Sequence, residues 1–209
     1  MFYLAKTPKW VSKLFGDSIW QIPGATKTLY LTFDDGPHPQ ITPFVLDELN
    51  KFEAKATFFC IGKNVVEYPT IYKEILDKGH AVGNHTFNHL NGWKTPNAKY
   101  LQNILEARNL IDSDLFRPPY GRITSKQKRL LMQLSEPFKV VMWSVLSGDF
   151  DTNLTPEKCL KNVLDNADNG SVIVFHDSEK AYERLQYTLP AVLKYFSERG
   201  YQFKKIVSK

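Results

Sequence analysis

Cysteine is scarce in this 209-residue chain: Cys60 and Cys159 are its only two. They stand far apart and no CxxC pair occurs, which excludes a zinc ribbon. Two reduced thiols are expected, Cys60 on a buried strand and Cys159 in a helix. Long apolar runs are missing too. Nothing approaches the ~20 residues that span a bilayer. Lys6, Lys9, Lys13 and Asp17 break up the N-terminal stretch, so no export leader is read there. The reading is a protein without a transmembrane segment, expected in the cytoplasm. Trp10, Phe15 and Trp20 in that stretch are expected to pack on the domain rather than touch a membrane surface. Charge of one sign is also lacking: 27 Lys and Arg face 22 Asp and Glu, for a net +5. The basic residues are scattered, with short clusters only at 126–129 and the C-terminus. A solvated basic surface is expected and a nucleic-acid partner is not. No repeat, low-complexity segment or Gly/Ser linker divides the chain, so a single domain over residues 1–209 is expected.

What is present is an alternation. Short apolar runs predict strands over 28–33, 56–61, 81–82, 139–145, 172–175 and 202–207. Helical spacing predicts helices over 42–52, 70–78, 97–111, 125–134, 156–167 and 185–199. Gly79 and Gly200 supply stops, and Thr155-Pro156 a start. Strands alternating with helices point to an α/β fold with a mainly parallel sheet. Periodicity leaves open whether that sheet is doubly wound or closed into a barrel. In both, function gathers where strands end.

The residues at those ends are polar and chemically pointed. The first strand runs into "DDGP", two adjacent carboxylates, Asp34 and Asp35. "HTFNH" spaces His85 and His89 at i and i+4, so one helical turn would put both imidazoles on one face, able to grip a metal. Alone, that spacing more often marks hydrogen-bonded or exposed histidines. Thr86 stands where a zincin has its glutamate, which disfavours that protease class. The Asp pair can supply what the histidines lack: one carboxylate for the metal, one free as a base. "FRPPYG" sets Arg117 beside two stiff prolines, where its guanidinium can orient a carboxylate. "VIVFHD" places His176 at the end of an apolar run, a candidate general acid.

In order, "TFDDGP", "HTFNH", "RPPYG", "WSVLSGDF" and "VIVFHD" resemble the motifs of the polysaccharide deacetylase family, the NodB-homology domain of carbohydrate esterase family 4. They run from residue 32 to 177. The resemblance implies a distorted (β/α) barrel of about seven parallel strands. It implies hydrolysis of the acetamide of N-acetylated sugars, as in chitin oligomers or peptidoglycan. It further implies Asp34 as base, with Asp35, His85 and His89 holding a divalent metal, zinc before cobalt or nickel. Arg117 is then the residue that orients the base, and Tyr120, after Pro119, offers its N–H to the oxyanion. Asp149 tunes His176, the acid, while Phe150 and Val174 wall in the acetyl methyl group. Two features depart from the family pattern. Phe150 stands where Trp is common, and Leu146 where a further acid is common. His38 has no assigned role and is read as a turn residue. Three other readings remain: hydrolysis of a cyclic amide or ureide, a non-catalytic glycan-binding relative, and an iron oxygenase using the same His, His and carboxylate.

Overall fold

A computed structural model describes residues 4–14, 16, 18–24 and 26–207. The strands among them are β1 (Ser18–Ile19), β2 (Thr28–Asp34), β3 (Thr57–Cys60), β4 (Ala81–Asn84), β5 (Leu115–Phe116), β6 (Lys139–Val141), β7 (Val145–Leu146), β8 (Val172–His176) and β9 (Gln202–Phe203). The helices are α1 (Lys9–Leu14), α2 (Ile41–Asn50), α3 (Gly62–Glu67), α4 (Pro69–Asp77), α5 (Asn97–Arg108), α6 (Ser125–Met132), α7 (Pro156–Leu164) and α8 (Glu179–Ser197). The sheet runs β1-β6-β5-β4-β3-β2-β8-β7, with β9 added beside the start of β2. Every pairing between these strands is parallel. Parallel strands need crossovers, and the helices provide them. The result is the α/β distorted barrel expected, with eight strands along the path rather than about seven. β1 and β5, two residues each, are absent from the predicted strands, too short to leave a hydrophobic period.

The strands have two buried faces. On β2, Leu29, Leu31 and Phe33 join Val45, Leu46 and Leu49 of α2 and Leu185, Leu189 and Val192 of α8 in the outer core. The alternate residues, Tyr30 and Thr32 and then Asp34, face inward. Phe59, Leu115, Val141 and Val172 form the inner cluster, with Tyr30 and Trp143 against it. Register continues this layering upward. Thr32 pairs with Val174, and Asp34 with His176. The barrel interior is therefore apolar at its base and carries a carboxylate and an imidazole at the C-terminal rim.

The predicted strand over 139–145 is two strands. β6 pairs with β1 and β5, β7 pairs with β8, and β6 and β7 do not pair with each other. The break at 142–144 distorts the barrel, and side-chain donors from elsewhere in the chain hold it. The Val141 and Met142 carbonyls turn to accept hydrogen bonds from Arg117. A segment near the N-terminus runs beside the free side of β7, with Leu146 N–H donating to the Ala5 carbonyl. The last helix starts at Glu179, six residues before the predicted start. The last strand shrinks to Gln202–Phe203, and α3 lies between the predicted strand over 56–61 and helix over 70–78, where no element was predicted. Cys60 and Cys159 are both buried and unpaired. Trp20 packs against the cluster around Tyr100 and Phe116, whereas Trp10 is largely exposed, contrary to expectation. Phe15 lies outside the described residues. No helix among the described residues is long and apolar enough to cross a membrane.

Candidate metal and acid–base site

Five strand ends meet at the rim. Asp34 closes β2, and the next residue, Asp35, has a left-handed backbone (φ 81°) that a non-glycine residue adopts only when its surroundings impose it. Here they do. Asn64 Nδ2 donates to the Asp35 carbonyl at 2.7 Å, and Ile61 N–H to the Gly36 carbonyl at 2.9 Å. Gly36 N–H donates to Asp177 Oδ1 at 3.0 Å. The other Asp177 oxygen accepts from the Thr42 hydroxyl, which itself accepts from His38 N–H. Only glycine fits at 36, because a Cβ there would stand 2.1 Å from Asp177 Oδ2. The Gly36–Pro37 bond is cis. His38 has a clear role at this turn. Its Nδ1 accepts from the Gln40 and Ile41 N–H groups at the start of α2, an end that lacks other side-chain caps.

His85 and His89 come together, but not on a helix. Thr86 (φ 64°) and His89 (φ 54°) both have left-handed backbones, and buried asparagines take the N–H groups that a helix would use. Asn84 Oδ1 accepts from Thr86 N–H, and Asn103 Oδ1 from Phe87 and Asn88 N–H. The expected helical turn is thus replaced by a loop held by side chains. The convergence survives: ligand atoms of Asp35, His85 and His89 all lie within 4.8 Å of one another. His85 Nδ1–H donates to the Arg117 carbonyl at 2.8 Å, which leaves the Nε2 lone pair facing Asp35. Burial pushes the His85 pKa down to about 4, so the ring is neutral near pH 7, as a metal ligand must be. Asp35 Oδ1 is buried and lacks a hydrogen-bond partner. Burial pushes its pKa up, but the neighbouring histidines outweigh this and hold it well below the carboxylate range. A buried anionic oxygen without a donor, facing two imidazoles, fits a divalent cation. Two nitrogens and one carboxylate are a zinc-type donor set with room for further ligands.

Arg117, immediately after β5, is completely buried. Its Nη1 donates to Asp34 Oδ1 and to Thr32 Oγ1, each at 2.7 Å. Nε and Nη2 donate to the Val141 and Met142 carbonyls at 3.2 and 2.9 Å. The guanidinium lies 4.1 Å over the Phe59 ring. Burial lowers its pKa and Asp34 raises it, and Arg remains charged.

On the other side, His176 N–H and Nδ1–H donate to the two carboxylate oxygens of Asp149, each at 2.7 Å. Burial lowers the His176 pKa, but Asp149, with Asp35 and Asp34 adding to it, raises it to about 9. The ring therefore carries a proton at neutral pH. Buried Arg184 of α8 holds the Asp149 backbone through its carbonyl at 2.6 Å. Phe150 meets the His176 ring edge-on at 5.2 Å. Val174 sits below His176 on the inner face, paired in register with Leu146.

Tyr120 follows buried Pro119 in a 3₁₀ turn, again with a left-handed backbone (φ 60°). Its ring packs on His89 at 4.7 Å. Its N–H lies in the first turn of that segment, where backbone donors have no intrahelical partner.

All eleven residues singled out from the sequence lie at or just below this rim. Sequence reasoning missed Asp177, Thr42, Asn64, Asn84 and Asn103, which hold the loops. Asp177 was visible in "VIVFHD", but nothing in the sequence tied it to Gly36.

Comparison with known proteins follows the same lines. The polysaccharide deacetylase family profile matches residues 21–135, which contain the first three motifs. A peptidoglycan-N-acetylglucosamine deacetylase of Bacillus cereus is 33% identical over 190 residues, covering 88% of each chain. A chitooligosaccharide deacetylase of Azorhizobium caulinodans is 36% identical over 157 residues, covering 72% of this chain and 73% of its own. The crystal structure of the Bc1960 peptidoglycan N-acetylglucosamine deacetylase, in complex with an N-hydroxybenzamide ligand, superposes with a TM-score of 0.86 at 30% identity, over 96% of this chain and 95% of the other.

Proposed function

This chain belongs to the polysaccharide deacetylase family, and on that premise we propose that it is a zinc-dependent N-deacetylase of N-acetylhexosamine glycans. One observation carries the reading. Asp34 and His176 are register partners on adjacent strands, one paired to Arg117 and the other to Asp149, beside the Asp35, His85 and His89 cluster. A base and a protonated acid therefore flank a cation site.

Asp35, His85 and His89 would hold the ion, which when bound polarises the acetamide carbonyl and acidifies water. Asp34 accepts a proton from the attacking water as the new C–O bond forms. Arg117 fixes the orientation of that carboxylate and keeps its other oxygen directed to the site. Tyr120 N–H donates to the developing oxyanion. His176, anchored through Nδ1, gives its Nε2 proton to the sugar nitrogen as the C–N bond breaks. Acetate and a free amine leave. Leu146, Val174 and Phe150 line the apolar side of His176, where the acetyl methyl group would lie. The test is a mass-spectrometric screen for acetyl loss from chitin oligomers and peptidoglycan fragments, with zinc and cobalt supplied separately. Loss of one acetyl mass with metal, abolished in Asp34→Asn protein that keeps its zinc, is expected. No acetyl loss from any of these glycans in metal-replete protein would sink the reading.

A further inference from the structure

Next to the cation site lies a ledge of aromatic surface that neither the core nor the acid–base pair uses. Trp93 is 65% exposed and Tyr120 56%. Leaving such rings in water forgoes the stabilisation of burial. Yet Trp93 is held firmly. Its indole N–H donates to the Ile123 carbonyl at 3.2 Å, and its backbone N–H to Asn91 Oδ1 at 3.1 Å. Beneath it, buried Gln127 donates to the Gly92 and Thr95 carbonyls at 2.8 and 3.2 Å and accepts from Thr124 N–H at 2.9 Å. Gly92 allows the two segments to meet, since a Cβ there would stand 2.3 Å from the Arg122 carbonyl oxygen. The Arg122 guanidinium lies 5.1 Å over the Trp93 ring. No carboxylate pairs with it among the described residues. The Tyr120 ring, two residues before Arg122, packs on His89, a candidate metal ligand four residues before Trp93. Two chain segments beside the cation site thus each present an exposed ring, Tyr120 on one and Trp93 on the other.

We propose that Trp93, Arg122 and Tyr120 form a subsite for the sugar next to the reacting one, in a glycan that carries carboxylates. This inference rests on the deacetylase reading above. A pyranose has an apolar C–H face that suits a fixed, exposed indole. A guanidinium stacked on that indole is pre-oriented and offers a fork that matches a carboxylate. A neutral N-acetylglucosamine chain would use the rings and leave Arg122 unpaired. A chain alternating with N-acetylmuramic acid, whose lactyl ether bears a carboxylate, engages both.

The experiment uses the full zinc-loaded chain with two substrates of equal length, a neutral chitin oligomer and an acidic glucosamine–muramic acid oligomer, both N-acetylated. Trp93→Ala is expected to raise KM for the acidic oligomer about tenfold and to act mainly on KM rather than kcat, with Trp93→Phe recovering most of the loss. Arg122→Gln is expected to cut the acidic-over-neutral ratio of kcat/KM about tenfold. An unchanged ratio in Arg122→Gln, or an unchanged KM in Trp93→Ala, overturns the subsite. Calorimetric titration of the acidic oligomer into Asp34→Asn protein separates the two readings. If the wild type releases no acetate but binding still weakens about tenfold in an added Arg122→Gln substitution, the deacetylase reading fails and the subsite stands. If the wild type turns over and binding ignores both substitutions, the subsite alone falls.

Discussion

Two buried ion pairs stand on opposite sides of the rim, and they differ in one respect that decides what each can do. Asp34 is paired with Arg117 and Asp149 with His176, both at 2.7 Å. Electrostatically the pairs look alike: each carboxylate faces a cation out of water. Arg117, however, spends its donors on Thr32, Val141 and Met142 as well as on Asp34, and a guanidinium does not release a proton. The His176 ring engages Asp149 through Nδ1, beside the backbone N–H, and its other ring nitrogen remains for the site. In the first pair the carboxylate is the group left to take up a proton; in the second the cation is the group able to give one. Under the proposed function, similar fields would yield a base on one side and an acid on the other, through the identity of the partner.

Substitutions can break that asymmetry from either side. The largest effect is expected from Asp34→Asn, which removes the base while leaving the ligand cluster intact. Acetate release should fall about 10³-fold, with zinc content by elemental analysis unchanged. Residual activity near the wild-type level would remove Asp34 from the proposed role. Arg117→Met acts on the same side through stability. It leaves Asp34 buried without its cation, and thermal or urea unfolding should report a loss of about 3–5 kcal/mol. On the acid side, Asp149→Asn should move the alkaline limb of kcat/KM down from about 9 towards the ordinary histidine value near 6.5. At pH 7.5 that lowers activity about tenfold while sparing it near pH 6.

The same shift bears on folding. The His176 pKa is raised in the folded state, so its contribution to stability is fully present below 6.5 and is lost as pH rises through about 9. Unfolding titrations of wild type and Asp149→Asn should converge above that window. A smaller effect is expected at the loop clamp. Asp177→Ala frees Gly36 N–H and the Thr42 hydroxyl, and with them the left-handed Asp35 backbone. Zinc affinity, read by competition with a chromogenic chelator, should weaken about tenfold, as for loss of other outer-shell supports.

The chemistry at the rim was legible because it is carried by residue types at strand ends. An apolar run that stops at Asp34-Asp35, or at His176, shows itself in one dimension, and five such stops in order carried the family resemblance. Local signals also marked a few helix ends, as at Thr155, whose hydroxyl accepts from Lys158 N–H as a cap. What misled was geometry drawn from spacing alone. The i, i+4 separation of His85 and His89 suggested a helical turn. The actual loop depends on Asn84 and Asn103, and Asn103 lies far along the chain on α5. The split between β6 and β7 was invisible for a similar reason. Met142 and Trp143 read as strand, and the partners of their carbonyls, Arg117 and the Thr7 hydroxyl, come from distant parts of the chain.

The sequence by itself determined which groups are present and the order of elements, since burial pattern, capping and strand length are local properties of the chain. It carried the alternation that makes a parallel α/β sheet, and the inward parity that sets Asp34 above Thr32. Only the tertiary structure decided which carboxylate meets which cation, which backbone conformations are imposed on Asp35, Thr86, His89 and Tyr120, and that Asp177 reaches Gly36 across 141 positions of chain. Those outcomes depend on contacts between distant strand ends, and on costs of left-handed backbone of about 1–3 kcal/mol each that are met only once the surrounding hydrogen bonds exist.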